Sequence, residues 1–237
     1  MRHAVYGLVS RFIYGLSTAL TKLIVGSLAR WEIVGAERIP ADGPIVLVAN
    51  HLNLLDPPLV AASTPRRVHP MAKRELFKTP LIGWALWPYG AFPVRRFSAD
   101  MGALRAARNL LRHDAVVLMF PEGTRSKDAQ LHPALPGAAM VALLADAPVV
   151  PVAITGTEDI RLPGSLFAWM SGKRPRVRVE FGEPIRLGGA SDSSGAEQAT
   201  DAMMRRIASM LPASYQGAYG PESAGQVVVV RQERERR

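Results

Sequence analysis

The sequence predicts an α/β domain: a mostly parallel, mixed sheet flanked by helices, preceded by apolar N-terminal helices. Three observations predict it. Continuous apolar, β-branched runs recur at PIVLVAN (44–50), AVVLMF (115–120) and PVVPVAITG (148–156), the pattern of strands buried on both faces. Segments of helical period stand between those runs, and alternation of strands with helices implies a parallel sheet. Polar residues gather just past the expected strand ends, where parallel sheets bind ligands.

Composition narrows the class. The 237 residues are 48% hydrophobic and 21% charged, so the chain folds around a core. There is no cysteine, which excludes disulfides and a thiol nucleophile. A formal charge of +9 points to an anionic partner: nucleic acid, phospholipid headgroups or a phosphorylated substrate.

Residues 4–29 are apolar, with Arg11 and Lys22 as their only charges. Lys22 interrupts the best run for a transmembrane helix, and SLA before Arg30 fits a signal-peptide cleavage site only weakly. One or two apolar helices lying in or on a membrane fit better, with Arg2, Arg11, Lys22 and Arg30 near anionic headgroups. Residues 1–30 are therefore expected to be a membrane-associated helical segment, and 31–211 the α/β domain.

Within that domain, WEIVGAERIP is a short strand ended by Gly and Pro. PIVLVAN is a buried strand with His51 just past its end. PPLVAAS (57–63) starts a helix, since proline suits the first helical position, and Asp56 is its expected N-cap. HLNLLD is then a strand-to-helix loop, across which His51 and Asp56 can meet. AFPVRR (91–96) is a strand ending in Arg95 and Arg96. Ser98 is the expected cap of the following helix, with Met101, Leu104 and Leu111 on one face. AVVLMF leads into PEGTRS. GAAMVALLAD (137–146) is a helix and PVVPVAITG a third buried strand. RVRVEFG (176–182) alternates and reads as an edge strand. GGASDSSGAEQ (188–198) reads as a flexible linker. ATDAMMRRIASML is an amphipathic helix with Met203, Met204, Ile207 and Leu211 inward. Residues 212–237 read as a flexible tail.

The residues at strand ends suggest a chemistry. A histidine exchanges protons near neutral pH, and an aspartate bonded to its ring fixes the tautomer and stabilises the imidazolium. No G-x-S-x-G elbow supplies a serine nucleophile, so the simpler proposal is that His51 activates a substrate hydroxyl directly. Taken alone, such a pair is more often a loop histidine and a helix cap. In FPEGTRS (120–126), Gly123 lets the backbone approach a ligand. Thr124 offers a hydroxyl, and Arg125 a planar fork suited to phosphate. Glu122 suits a sugar or glycerol hydroxyl, or holds Arg125. Arg96 could reach the same anion. His3, His69, His113 and His132 lack partners at ligand spacing, the last three in loop-like contexts, and no metal site is expected.

NHLNLLD resembles the N-H-x-x-x-x-D signature of the glycerolipid acyltransferases, and FPEGTRS their second hallmark, in the right order and about seventy residues apart. GAFPVRR resembles the block between them, PVVPVAITG the block after, and FGEPI (181–185) a late element. The bacterial branch it looks most like is the 1-acylglycerol-3-phosphate acyltransferases. The resemblance implies that His51 is the general base for the sn-2 hydroxyl of a lysophospholipid and that Asp56 orients it. That hydroxyl would attack an acyl thioester, on coenzyme A or acyl carrier protein, with no further cofactor, no metal and no acyl-enzyme. It assigns acceptor binding to Glu122, Gly123, Thr124 and Arg125, with Arg96 at the phosphate. It implies lysophosphatidic acid as acceptor, phosphatidic acid as product, a phospholipid surface and not nucleic acid as partner, and the cytoplasmic face of the membrane. An acyl tunnel could be lined by Met71, Trp84, Leu86 and Trp87, although core packing suits each of them.

Some positions depart from the family pattern. Asn53 stands where serine is frequent, Arg95 where an acidic residue is common, and LHPALPG (131–137) lacks the usual lysine. Another lysophospholipid or hydroxylated lipid is therefore an alternative acceptor. A non-catalytic binder of anionic lipid, or a hydrolase using the same base on water, would also use parts of this pattern.

Overall fold

The unbroken apolar runs become the central strands of one seven-stranded sheet, and their lack of alternation has a simple cause. Residues Ile45–Ala49 are fully buried because Ile45, Leu47 and Ala49 pack on one face while Val46 and Val48 pack on the other, as the two-residue strand period requires. Each buried Val, Leu or Ile contributes ~1.5–3 kcal/mol relative to exposure. The computed structural model describes residues 2–80, 82–96, 100–160, 174–188 and 192–221.

The strands are β1 (Arg30–Val34), β2 (Ile45–Ala49), β3 (Val68–Lys73), β4 (Phe92–Val94), β5 (Val116–Met119), β6 (Val149–Thr155) and β7 (Arg176–Phe181). Their order is β1-β7-β6-β2-β5-β3-β4. All neighbours are parallel except β6 and β7, so the sheet is mostly parallel and mixed. The helices are α1 (Arg2–Leu28), α2 (Asp56–Ser63), α3 (Ile82–Tyr89), α4 (Met101–Leu111), α5 (Gly137–Ala145) and α6 (Ser193–Met210). Helices α1 and α2 cover one face through Val25, Leu59 and Val60, with Ala29 just past the end of α1. Helices α4, α5 and α6 cover the other through Ala107, Leu111, Val141, Met203, Met204 and Ile207.

Several expectations need correction. The segment 176–182 is not an edge strand, because β7 lies between β1 and β6. Its alternation reflects one solvated face: Val177, Val179 and Phe181 are buried, while Arg178 pairs with Glu32 and Glu180 at 2.9 and 2.8 Å. The edge is β1. The stretch 188–198 is not all linker, since α6 begins at Ser193, with the Asp192 side chain accepting from the Gly195 N–H. The cap of α4 is Asp100, whose carboxylate accepts from Gly102 and Ala103; Ser98 lies outside the described residues. Met101 is exposed, and the buried face of α4 is Ala103, Ala107 and Leu111. His69 lies in β3, where its Nδ1 is 2.9 Å from the Gly90 carbonyl oxygen. Pro212 begins no structureless stretch. Two 3₁₀ turns, Ala213–Tyr215 and Gly217–Tyr219, bring Tyr215 and Tyr219 against the core; residues 222–237 lie outside the described residues.

The apolar N-terminus is a single helix. Its segment Gly7–Leu28 is long and apolar enough to cross a membrane by length and composition, yet one side is packed on the domain. Ser10 Oγ donates to the Pro88 carbonyl, Tyr14 Oη accepts from the Val68 N–H at 3.0 Å, and Val25 and Ala29 enter the core. Leu8, Phe12, Leu16, Leu20 and Leu23 recur at helical spacing and are exposed. Arg11 and Lys22 are three turns apart and so share one flank. Beside this helix, α3 exposes Trp84 and Trp87, at 75% and 52%.

Candidate active site

Two adjacent parallel strands bring the two sequence motifs together. β2 pairs with β5 in register, so the loops leaving their carboxyl ends are neighbours. The first carries His51 and the second Glu122 to Ser126. His51 Nδ1 lies 2.8 Å from Asp56 Oδ2. The same oxygen accepts the N–H groups of Leu52 and Asn53, each at 2.7 Å. Asp56 is therefore not the expected N-cap. It is the first helical residue, preceded by Leu55, and its carboxylate turns back to fold the loop around the imidazole. With Nδ1 held by Asp56, Nε2 is the nitrogen left to exchange a proton.

The second loop grips the first. Phe120 stacks on the imidazole with centroids 4.2 Å apart. The Ser126 N–H donates to the His51 carbonyl at 2.7 Å. Glu122 is buried, and its two oxygens accept the His51 N–H at 3.0 Å and the His132 N–H at 3.1 Å. Burial pushes the Glu122 carboxyl up to about 7, against the lowering effect of the His132 and His51 N–H groups. Gly123, at φ 70°, makes the left-handed turn that a side chain would disfavour.

A cavity of about 600 Å³ opens beside His51, within the usual range for small-molecule sites. Its wall is mainly apolar, with Met71, Leu76, Met119, Phe120, Leu135 and Met140 among its residues; Lys73, Arg95 and Arg96 add cationic groups. Burial lowers Arg96 first, then the like charge of Arg125, while Glu75 raises it. The like charge of Arg125 adds to the positive field on this side of the cavity.

The sequence model of the Acyltransferase family matches residues 30–155, the stretch that carries this whole arrangement. The chain belongs to the acyltransferase family.

Its relatives are specific. It is 32% identical to the 1-acyl-sn-glycerol-3-phosphate acyltransferase of Streptococcus pneumoniae, over 84% of this chain and 71% of that one. It is 36% identical to a chloroplastic enzyme of that name from Brassica napus, over 65% of this chain and 44% of that one. With 44% and 54% of the Brassica and Chlamydomonas proteins covered, the chain spans about half the length of those relatives. Among solved structures it resembles PlsC, the 1-acyl-sn-glycerophosphate acyltransferase of Thermotoga maritima. The TM-score is 0.64 at 25% identity, covering 90% of this chain and 84% of that one.

In this member of the family the structure sorts the residues named from sequence. His51, Arg96 and Gly123 line the cavity. Asp56 is buried behind His51, and Glu122 is buried between the two loops. Thr124 and Arg125 are exposed on the turn, outside the lining. Of the tunnel residues, Met71 lines the cavity, Leu86 is half-buried, and Trp84 and Trp87 face outward. Two further residues shape the site. Asn50 bonds both ways with the Ile154 backbone, at 2.8 and 2.9 Å, which ties β2 to β6 just before His51. Asn53 Nδ2 donates to the carbonyls of Thr157 and Ile160, at 2.8 and 3.2 Å, tying the His51 loop to the turn after β6. Their signal was the side-chain amide itself, placed at a strand end where main-chain groups need partners.

Proposed function

We propose that this acyltransferase moves a fatty acyl group from an acyl thioester, acyl-CoA or acyl carrier protein, to the sn-2 hydroxyl of lysophosphatidic acid. The product is phosphatidic acid. The observation that carries the proposal is the His51–Asp56 pair opening on an apolar cavity that also holds cationic side chains. The names of the relatives support the same acceptor.

In this reading the acyl chain occupies the apolar wall. The acceptor phosphate sits near Arg96 and Arg125, with Gly123 and Thr124 beside it. His51 Nε2 takes the proton of the sn-2 hydroxyl as its oxygen attacks the thioester carbonyl. Asp56 stabilises the imidazolium that forms. The tetrahedral intermediate collapses, the C–S bond breaks, and the leaving thiolate takes the proton from His51. The chemistry as written needs no metal or further cofactor. The N–H groups of His51, Leu52, Asn53 and Gly123 already bond within the loops, so donors to the oxyanion come from elsewhere.

The outward stripe of α1 and the two tryptophans of α3 suit a phospholipid surface. A helix packed lengthwise on its domain lies in the plane of the interface, with Trp at headgroup level and Arg11 and Lys22 toward the phosphates. Thioester donors of this kind support a reaction at the cytoplasmic face. The test is an acceptor panel with the purified protein in detergent: lysophosphatidic acid against lysophosphatidylglycerol and lysophosphatidylcholine, each with both thioester donors. The reading expects the phosphomonoester to be preferred. A preference for either phosphodiester would replace the acceptor and keep the chemistry.

A further inference from the structure

Glu122 stands in a motif whose polar residues invite a substrate role, but its two oxygens are turned to main-chain donors. Its side chain is 5% exposed and is not part of the cavity wall, whereas its neighbours Pro121 and Gly123 are. One oxygen faces the His51 N–H and the other the His132 N–H. A carboxylate offers acceptors only, and both of its oxygens are engaged here by main-chain N–H groups.

We propose that Glu122 is a positioning residue for the base: its carboxylate fixes the main chain of His51 and ties it to the loop that forms one wall of the cavity. The proposal rests on the acyltransferase reading of the site. The imidazole has two anchors. Asp56 sets the ring, and the grip of segment 120–126 sets the backbone from which the ring hangs. Glu122 holds its N–H, Ser126 its carbonyl, and Phe120 lies against the ring. The second Glu122 oxygen reaches His132, three residues before Leu135, which lines the cavity with Pro136 and Gly137. Leu135 is itself tied back through its N–H to the Pro121 carbonyl at 2.8 Å. One buried carboxylate therefore couples the distance between base and acyl wall. A glutamine in its place can accept from one N–H only, and it turns an amide donor toward the other. The result is a buried donor facing a donor. An aspartate keeps both acceptors, but being one methylene shorter it holds the two N–H groups less closely.

The test uses the full chain in detergent, with Glu122→Gln and Glu122→Asp beside the parent. Transfer is measured against lysophosphatidic acid concentration at saturating donor. Separately, the imidazole nitrogens of ¹⁵N-histidine-labelled protein are followed by NMR without substrate, with His51 assigned by its loss in His51→Ala. A misplaced base gives a kcat about 10- to 100-fold lower, an acceptor KM within about threefold of the parent, and displaced His51 ring signals. Glu122→Asp recovers part of the kcat, and it carries the same comparison if Glu122→Gln does not fold. An acceptor KM raised more than tenfold with kcat retained and ring signals unmoved would make Glu122 a substrate ligand and overturn the proposal. If the parent transfers nothing to lysophosphatidic acid, the functional reading fails, and the ring signals alone decide the positioning role.

Discussion

Replacing Asp56 by asparagine separates what the carboxylate does by charge from what it does by shape. Among the described residues, all three side-chain bonds of Asp56 fall on one oxygen: His51 Nδ1 at 2.8 Å and the Leu52 and Asn53 N–H groups at 2.7 Å each. An asparagine therefore keeps its carbonyl on that side, because the opposite orientation would press an NH₂ against three donors. The histidine tautomer survives and the negative charge does not. For charge centres about 4 Å apart, an effective dielectric near 20 gives roughly 4 kcal/mol of lost stabilisation for the imidazolium. At about 1.4 kcal/mol per decade, kcat falls by about 10³-fold. The amide NH₂ takes the place of Oδ1, which is buried without a partner among the described residues. Weaker neutral bonds and that buried donor lower stability by on the order of 1–3 kcal/mol. The assay is acyl transfer at saturating substrates beside circular dichroism melting. A folded Asp56→Asn protein within about tenfold of the parent would refute the claim that Asp56 works through its charge on His51.

Three other outcomes follow from the same geometry. Arg96→Ala and Arg125→Ala should each raise the KM for lysophosphatidic acid by about tenfold or more with kcat within a few-fold, the sign of lost phosphate binding; unchanged KM values would remove both from the acceptor site. Leu16→Asp with Leu23→Asp, on the outward stripe of α1, should move the protein from anionic vesicles to the supernatant in flotation, with transfer to detergent-dispersed acceptor retained; unchanged flotation would exclude that stripe as the membrane contact. Burial raises Glu122 from 4.5 to about 7, so between these values the folded protein holds a proton that the unfolded chain has released. Its contribution is fully present below about 4.5 and is lost as pH rises through about 7, on the order of 3 kcal/mol. Denaturant melts at pH 5 and pH 7.5 should show that loss in the parent relative to Glu122→Gln, and equal slopes in the two would contradict it.

The central sheet was legible because buried parallel strands are written as uninterrupted apolar runs, and β2, β5 and β6 are such runs. Strand β3 was not, because VHPMAK mixes a histidine, a proline and a lysine, and nothing local marks it as paired with β5. The alternation of β7 suggests an edge but records one solvated face. Sequence periodicity reports burial of faces and carries no information on neighbours within the sheet. For the site, the proximity of His51 and Asp56 was legible, since a short strand-to-helix loop brings both ends together. The orientation of Asp56 was not: its residue type and the prolines after it suggest a cap, and only the folded loop shows its carboxylate turned toward Leu52, Asn53 and His51. Glu122 misled for a related reason. A glutamate in a glycine-containing turn looks available to a ligand, and its burial depends on the long-range return of His132. Aromatic groups usually pack inside, which favours interior places for Trp84 and Trp87, but α3 turns them outward beside the exposed stripe of α1.

The most direct test of the account is acyl transfer from acyl-CoA or acyl carrier protein to lysophosphatidic acid by the purified protein, with His51→Ala alongside. The account predicts phosphatidic acid from the parent and a loss of about 10³-fold or more in the variant, the scale of an essential base. Phosphatidic acid formed at the parent rate by His51→Ala, or thiol released at the same rate without any acceptor, would contradict it.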